Sequence, residues 1–193
     1  MSYKDYSELI RSFMLQLEAF DIYTYNHSIR TALIAKRLAS ELHYPKADIE
    51  TIYIAGLLHD IGKLKVGRNI IKGNGELSKD EWDVIKRHPF YGIDMVPDVR
   101  LKGIELIKRI IVEHHERMDG SGYPYGIDDP LPESMLVAVA DSFDAMNSDR
   151  SYKKKLDKEE IREILSWSKA KYDPLSLDAL IRLIDRKELG FLE

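Results

Sequence analysis

Apolar residues recur at spacings of three and four along successive segments of this 193-residue chain. Near the start, Leu9, Phe13, Leu17 and Phe20 would form one stripe along a helix, and similar stripes return in most later segments. No stretch shows the sustained alternation of apolar and polar residues that is typical of a half-buried strand. The sequence therefore predicts an all-α fold, a single compact helical bundle.

Capping residues, prolines and glycines divide the chain into predicted helices. Ser78 followed by Glu81 is a capping box, and Asp173 with Pro174 is a favourable helix start. Two segments rich in glycine or proline, residues 61–77 and 117–132, are predicted to be irregular loops. We expect helices over about residues 5–20, 24–42, 46–60, 79–95, 101–116, 133–147, 158–171 and from 174 to about 186.

The composition excludes several classes of function. There is no cysteine, which rules out disulfides, thiolate metal sites, iron–sulfur clusters and a cysteine nucleophile. The net charge of −4 does not favour a nucleic-acid polymer or an anionic membrane. We find neither a signal-peptide pattern nor an apolar run long enough to span a bilayer, so we expect a cytoplasmic protein. Any metal must be held by nitrogen and oxygen, which makes the six histidines the most informative residues.

His59 is followed directly by Asp60 at the end of an apolar helix, AGLLHD, just before a glycine-rich loop. An imidazole and a carboxylate side by side suit divalent cations. The alternative is that His59 caps the helix C-terminus while Asp60 faces solvent. The pair alone does not decide between the two interpretations.

Two further places put ligand-type side chains beside apolar helical residues. His114 and His115 end the run LIKRIIVEHHE, although adjacent histidines also occur by chance on surfaces and in cores. Asp141 follows six small or apolar residues and needs a partner, because burying an unpaired charge is costly. That partner would be a basic residue in a buried salt bridge or a metal ion. Asp144, three residues on, could share the same helix face.

The combination is more informative than any single pair. Five of the six histidines and at least two acidic residues fall at predicted helix ends or on apolar helices, next to the two glycine-rich loops. Chance would scatter histidines onto solvent-facing positions, as we expect for His43. Two divalent ions that share a bridging carboxylate use about seven protein ligands, which is the number collected here.

Three strings resemble the motifs of the HD-GYP family, a branch of the HD-domain metal-dependent phosphohydrolases. They are HDIGK at 59–63, HHERMDGSGYP at 114–124 and VADSFDAMNSDRSYK at 139–153, and the second is the most specific. The likeness runs from about His27 to near residue 173. It implies a bundle of the HD-domain type over residues 23–186, with residues 1–22 as an N-terminal helix of the same domain and 187–193 as a C-terminal tail.

The resemblance implies a binuclear metal centre. Iron or manganese is typical of the family, and a set of nitrogen and oxygen donors leaves zinc and nickel open. Some members hold a third ion with a glutamate one helical turn before the first histidine; Tyr23 stands at that position here, so we expect two ions. By similarity, one ion would be held by His27, His59, Asp60 and Asp141, and the other by the bridging Asp60 with His88, His114 and His115.

The family's activity implies hydrolysis of cyclic di-GMP or a related cyclic dinucleotide. A water or hydroxide bridging the two ions would attack the phosphorus, while the ions neutralise the phosphate oxygens. Lys63 resembles a family lysine that lies close to that water and to the phosphate, so Lys63 and Asp60 are the candidate catalytic residues. The alternative for Lys63 is an ordinary surface lysine beyond a helix end.

Four residues are candidates for binding the substrate. Arg150 and Lys153 resemble basic residues that grip the substrate phosphates, although residues 153–155 would equally suit a solvated cluster of lysines. Gly122 and Tyr123 belong to the GYP signature. The Tyr123 ring would either stack on a base or pack the loop.

Two other functions stay open. The segment after HDIGK has Gly67 where the family usually has proline, which favours an HD-type phosphohydrolase acting on another nucleotide or phosphate ester. A metal-binding, non-catalytic signalling module is the second alternative, although the HD and HH pairs are intact. Only about 20 residues precede the His27 helix, so we expect any regulation to come through a protein partner or a homo-oligomer.

The histidine pattern makes a direct prediction about metal content. Replacing His43 with alanine should leave the metal bound per chain unchanged, whereas replacing His59 or His115 should lower it. Elemental analysis of the purified variants measures this. Equal metal content in all three variants would contradict the proposed ligand set.

Overall fold

The computed structural model describes residues 3–72, 77–98, 103–148 and 158–189, and these residues form helices with no strand among them. This confirms the all-α prediction. A short 3₁₀ helix at Lys169–Lys171 precedes the last α-helix. The helices are α1 Tyr3–Phe20, α2 Ile22–Glu41, α3 Lys46–Leu58, α4 Lys63–Val66, α5 Arg68–Ile71, α6 Lys79–Ile85, α7 His88–Met95, α8 Ile104–Glu113, α9 Pro132–Asn147, α10 Lys158–Trp167 and α11 Pro174–Asp185.

Helix α2 lies at the centre of the bundle, between α3 and α9. Helix α3 also packs on α8, and α8 packs on α7 and α9, so these helices surround one apolar core. Its largest fully buried side chains include Leu17, Ile34, Ile52, Ile110 and Leu136, which come from α1, α2, α3, α8 and α9. Helix α1 therefore shares the apolar core of the other helices. The domain limits 1–22, 23–186 and 187–193 stay predictions.

Side-chain caps fix several helix starts. The predicted capping box is present: the Ser78 hydroxyl accepts from the Glu81 amide, and the Glu81 carboxylate accepts from the Ser78 amide. The Asp173 carboxylate accepts from the Ser176 amide at the start of α11, where Pro174 occupies the first turn. At α2, Asp21 caps the Thr24 amide, so this helix begins at Ile22 and not at the predicted residue 24.

The predicted helix over residues 79–95 is in fact two helices. Pro89 has no amide hydrogen, so the carbonyl four residues earlier, that of Ile85, receives no helical hydrogen bond from it. That carbonyl accepts instead from Nδ1 of His88, at 2.8 Å. Helix α6 ends at Ile85 and α7 begins at His88, which places this histidine at a helix end and not on a helix face.

Other boundaries differ by a few residues. Helices α4 and α5 interrupt the loop predicted over 61–77, and Gly67 between them has φ of 105°, a value that glycine accommodates best. Helix α8 begins after Gly103, also with positive φ, and ends at Glu113 instead of 116. The helix predicted over 158–171 ends at Trp167, and a 3₁₀ turn follows.

The turn after α3 lies directly against α7. A Cβ atom on Gly62 would overlap the His88 carbonyl oxygen and lie 2.6 Å from the Gly92 amide nitrogen. On the other side, a Cβ on Gly92 would lie 2.8 Å from a methyl group of Ile111. Backbone therefore touches backbone where the HDIGK segment passes α7, and only glycine fits.

Two leucines on α1 test whether this helix belongs to the common core. Leu17 is fully buried and Leu15 is 53% exposed. Leu17→Ala should lower the free energy of unfolding by about 2–5 kcal/mol, because it leaves a cavity. Leu15→Ala should change it by less than about 0.5 kcal/mol. Urea denaturation measures both, and equal effects would mean that α1 packs loosely.

Candidate metal centre

Three histidines are oriented by the same local device. His59 and His114 are the C-cap residues of α3 and α8, and their Nδ1 atoms each donate to a carbonyl three residues earlier, Gly56 and Ile111, at 2.7 Å. His88 makes the equivalent bond to the carbonyl of Ile85, the last residue of α6. A carbonyl oxygen can only accept, so Nδ1 carries the proton and Nε2 is turned towards the centre.

The inward nitrogens of His88 and His114 are unprotonated. Burial lowers the pKa of His88 to about 4, and burial together with the neighbouring His59 and His88 holds the pKa of His114 well below its usual value. Both rings are therefore neutral at pH 7, with bare Nε2 lone pairs. These two Nε2 atoms lie 3.3 Å apart, a repulsive arrangement that a metal ion would make favourable.

Asp60 lies between the imidazoles. Its carboxylate oxygens are 3.4 Å from Nε2 of His59 and 3.4 Å from Nε2 of His88, and Lys63 donates to it at 2.6 Å. Burial opposes its ionisation, but the charge of Lys63 and the nearby histidines hold the pKa well below the usual range. A buried, ionised carboxylate thus stands where two groups of ligands meet.

His27 extends the site on the α2 side. Its Nε2 lies 2.9 Å from Asp141, and its Nδ1 lies 2.7 Å from Asp144, two carboxylates on α9. Burial favours the neutral ring, but the hydrogen bonds to the two carboxylates outweigh it and raise the pKa of His27 to about 9. The hydrogen bond from His27 likewise outweighs burial at Asp141 and holds its pKa well below the usual range.

His115 completes the arrangement from the start of the GYP segment. Its Nδ1 lies 3.9 Å from Asp141, and burial holds its pKa well below the usual value. The Tyr123 ring stacks on it, with centroids 4.5 Å apart. Of the two roles predicted for Tyr123, the structure shows loop packing, directly on a candidate ligand.

The donors fit a metal centre by geometry and by their lack of partners. Nε2 of His59 and Oδ1 of Asp60 are buried and have no hydrogen-bond partner, a costly state that a metal ion would relieve. Three groups each place their ligand atoms within 4.8 Å of one another. They are His27, His59 and Asp141; His88, His114 and His115; and His59, Asp60 and His114. Of the alternative interpretation of the His59–Asp60 pair, the helix cap at His59 is present, but Asp60 is buried and does not face solvent. One nitrogen of His59 caps the helix while the other faces the site.

Two buried glutamates hold the loop that follows α8. The Glu113 carboxylate accepts from the Leu131 amide and the Ser134 hydroxyl, at 2.9 and 2.8 Å. The Glu116 carboxylate, which is fully buried, accepts from the amides of Tyr125 and Ile127, at 2.7 and 3.2 Å. These bonds substitute for regular secondary structure and fix the loop against the end of α8.

Gly122 allows this loop to approach the histidines. A Cβ there would lie 2.5 Å from the Arg117 amide nitrogen and 2.6 Å from the His115 carbonyl oxygen. That carbonyl accepts from the Tyr123 amide, which holds the ring over His115. The close approach explains the glycine on structural grounds, and its assignment to substrate binding stays a prediction.

The other residues considered in the sequence analysis differ in where they lie relative to the candidate metal centre. His43 is exposed, with positive φ at the end of α2, and it belongs to none of the ligand groups. Tyr23 stacks on the His27 ring with centroids 6.2 Å apart. Arg150 and Lys153 lie outside the described residues.

The sequence analysis missed three residues that support the candidate ligands. Arg30 donates to Asp144, which bonds His27, while Glu113 and Glu116 bond the loop after α8. One usable signal was present for Arg30: it lies three residues after His27 on α2, so both side chains share a helix face. The glutamates immediately precede and follow the HH pair, but nothing in the pattern says that their carboxylates turn back to the loop.

Comparisons with known proteins agree with this geometry. A family model described as HD domain matches residues 12–175. The cyclic di-GMP phosphodiesterase PA4108 of Pseudomonas aeruginosa is 35% identical over 182 residues, 93% of this chain and 44% of that protein. The 3′3′-cGAMP-specific phosphodiesterase 2 of Vibrio cholerae is 33% identical over 90% of this chain and 34% of its own length. The chain thus spans less than half of these two relatives.

Two solved structures share the fold. Bd1817, an HDG"Y"P protein from Bdellovibrio bacteriovorus, has a TM-score of 0.65 at 22% identity, covering 82% of this chain and 51% of that chain. The phosphodiesterase PgpH HD domain of L. monocytogenes, in complex with cyclic di-AMP, has a TM-score of 0.67 at 16% identity, covering 93% of this chain and 96% of that chain.

Within the described residues, no helix is both long and apolar enough to cross a bilayer.

Gly122 offers a test of the loop packing. Gly122→Ala should push the loop away from α8, disturb the stacking of Tyr123 on His115 and destabilise the fold by about 1–3 kcal/mol, because the added methyl group meets backbone. Ser121→Ala is the matched control, since Ser121 is exposed and bonds only to Asp119. Thermal unfolding and the near-ultraviolet circular dichroism of tyrosine measure the effect. A Gly122→Ala protein as stable as the control would contradict the tight approach.

Proposed function

Because the chain belongs to the HD domain family, we propose that its histidine and aspartate cluster is the active site of a metal-dependent phosphodiesterase that hydrolyses a cyclic dinucleotide. One observation carries the proposal. The two groups of three ligands lie on either side of Asp60, whose buried carboxylate reaches histidines of both sides. The likeness to cyclic di-GMP and 3′3′-cGAMP phosphodiesterases supports the substrate class.

Two divalent ions fit this set of donors. Iron and manganese suit imidazole and carboxylate ligands, and the lack of thiolates agrees with them without excluding zinc or nickel. Such ions would lower the pKa of a nucleophilic water and neutralise the charge that develops on the phosphate. The residues proposed to hold them are His27, His59, Asp60 and Asp141 on one side, with Asp60, His88, His114 and His115 on the other.

Lys63 is proposed to act on the phosphate side of the site. Its ammonium group already contacts Asp60 at 2.6 Å, and its side chain is partly exposed, so a ligand in the site could reach it. A cation beside the scissile phosphate would hold it in line for attack and would stabilise the extra negative charge of the transition state. The bond to Asp60 fixes the ammonium group before the substrate arrives.

Four residues are proposed to contact the substrate. Arg150 and Lys153 follow α9, the helix that contributes Asp141, and would bind the two phosphates of a cyclic dinucleotide. The Tyr123 ring already packs on His115, so it would form part of the wall beside the metal centre. Gly122 would contribute backbone only.

Asp60→Ala should abolish hydrolysis, because it removes the carboxylate shared by the two ligand groups. The experiment incubates manganese-loaded and iron-loaded protein, under reducing conditions, with cyclic di-GMP, 3′3′-cGAMP, cyclic di-AMP and a phosphate monoester. We expect product from at least one cyclic dinucleotide, with a loss of at least about 10³-fold in Asp60→Ala. His43→Asn is the control, since asparagine tolerates the positive φ of that exposed position.

Two outcomes would favour the other interpretations. A clear preference for the monoester would indicate an HD-type phosphohydrolase of another substrate. No product from any substrate with either metal, at high protein concentration, would contradict an enzyme and favour a non-catalytic metal-binding module.

A further inference from the structure

A second carboxylate lies behind His27, on the side away from the other ligands. Asp144 of α9 is fully buried, and its Oδ2 accepts from Nδ1 of His27 at 2.7 Å. The opposite ring nitrogen, Nε2, faces Asp141 and the interior of the site. His27 is the only proposed imidazole ligand among the described residues whose second nitrogen is seen to bond a carboxylate, whereas His59, His88 and His114 bond backbone carbonyls.

The arginine one helical turn after His27 neutralises this carboxylate. Nε of Arg30 donates to Oδ1 of Asp144 at 2.7 Å, and a terminal nitrogen of the same guanidinium donates to Oδ2 at 3.0 Å. Such a two-point pairing fixes the plane of the carboxylate as well as its position. The same terminal nitrogen donates to the Ser148 hydroxyl, which also lies 3.3 Å from Asp144.

We infer that Asp144 and Arg30 are positioning residues for metal binding, which set the orientation and basicity of the His27 ring. Asp144 holds the proton on Nδ1, so that Nε2 is the nitrogen presented to the site. Arg30 holds Asp144 in place and offsets the cost of burying its charge. The inference rests on the proposed function, since it concerns a ligand of the proposed metal centre.

The geometry argues against a purely structural ion pair. An ion pair that only joined α2 to α9 would not need the carboxylate oxygen that points at Nδ1 of His27. Here one oxygen, Oδ2, receives both the imidazole and the guanidinium, so the histidine and the arginine are linked through a single atom. A carboxylate behind a ligating histidine raises the electron-donating power of the ring, and its removal typically weakens metal binding by about 10–100-fold.

The test compares manganese binding in Asp144→Asn, Arg30→Met and Arg30→Lys with the wild-type chain. Electron paramagnetic resonance counts the free and bound manganese at each step of a titration. Asp144→Asn should weaken one binding step by about 10–100-fold, and Arg30→Met by about tenfold. Arg30→Lys should lie between Arg30→Met and wild type, because lysine keeps the charge but not the two-point geometry.

Arg182→Met is the matched control. Arg182 of α11 donates to the Glu41 carboxylate at 2.8 Å, so this change also removes an arginine from an ion pair that joins α2 to another helix, but Glu41 is the last residue of α2, far from His27. Manganese affinity should stay at the wild-type value. A loss equal to that of Arg30→Met would show that any disturbed ion pair lowers affinity, and it would overturn the inference.

A second readout does not depend on metal. The Nδ1 proton of His27 should give a downfield, exchange-protected proton resonance in the metal-free wild-type chain, assigned by its loss in a His27→Gln variant. It should be lost or strongly shifted in Asp144→Asn. Unchanged manganese affinity together with an unchanged resonance would overturn the positioning role alone. A wild-type chain that binds no manganese or iron would instead overturn the proposed metal centre, and the inference with it.

Discussion

The hydrogen bond between an imidazole Nδ1 and a carbonyl at a helix end is the interaction on which the site depends. The last carbonyls of a helix have no partner within it, so a histidine placed one turn on satisfies one of them. The same bond decides which nitrogen is protonated and where the other points. At His59, His88 and His114 the ends of three helices thereby orient three candidate ligands, and the bundle itself preorganises the site.

A layer of buried acids supports this centre from behind. Asp144 bonds His27, while Glu113 and Glu116 bond the backbone of the loop whose Tyr123 packs on His115. Each carboxylate is buried, and each has more than one donor, which is how a fold tolerates charge away from water. The stability of the loop and the geometry of the site therefore depend on the same few electrostatic contacts.

The sequence predicted the helical class correctly, and it singled out histidines that the structure brings together, because both follow from local patterns; their role as metal ligands stays a prediction. Apolar spacing reports on helices directly, and five histidines at helix ends or on apolar helices are visible without coordinates. The split at His88 was missed because Pro89 in the first turn of a helix and Pro89 inside one look alike until the Ile85 carbonyl is seen to bond the imidazole. Spacing places Arg30 on the helix face of His27 and Asp144 on that of Asp141, but the contact between them joins residues 114 positions apart, and Glu116 bonds a backbone amide; no local pattern encodes these contacts.

The backbone contact at Gly62 has a consequence for how the site can vary. At Gly62, the turn that follows His59 and Asp60 meets the main chain of α7, which begins with His88. A larger residue at position 62 could only push the turn and α7 apart, because glycine is already the smallest residue. The spacing between these two parts of the candidate site is thus set by the phase of the helix and the length of the turn.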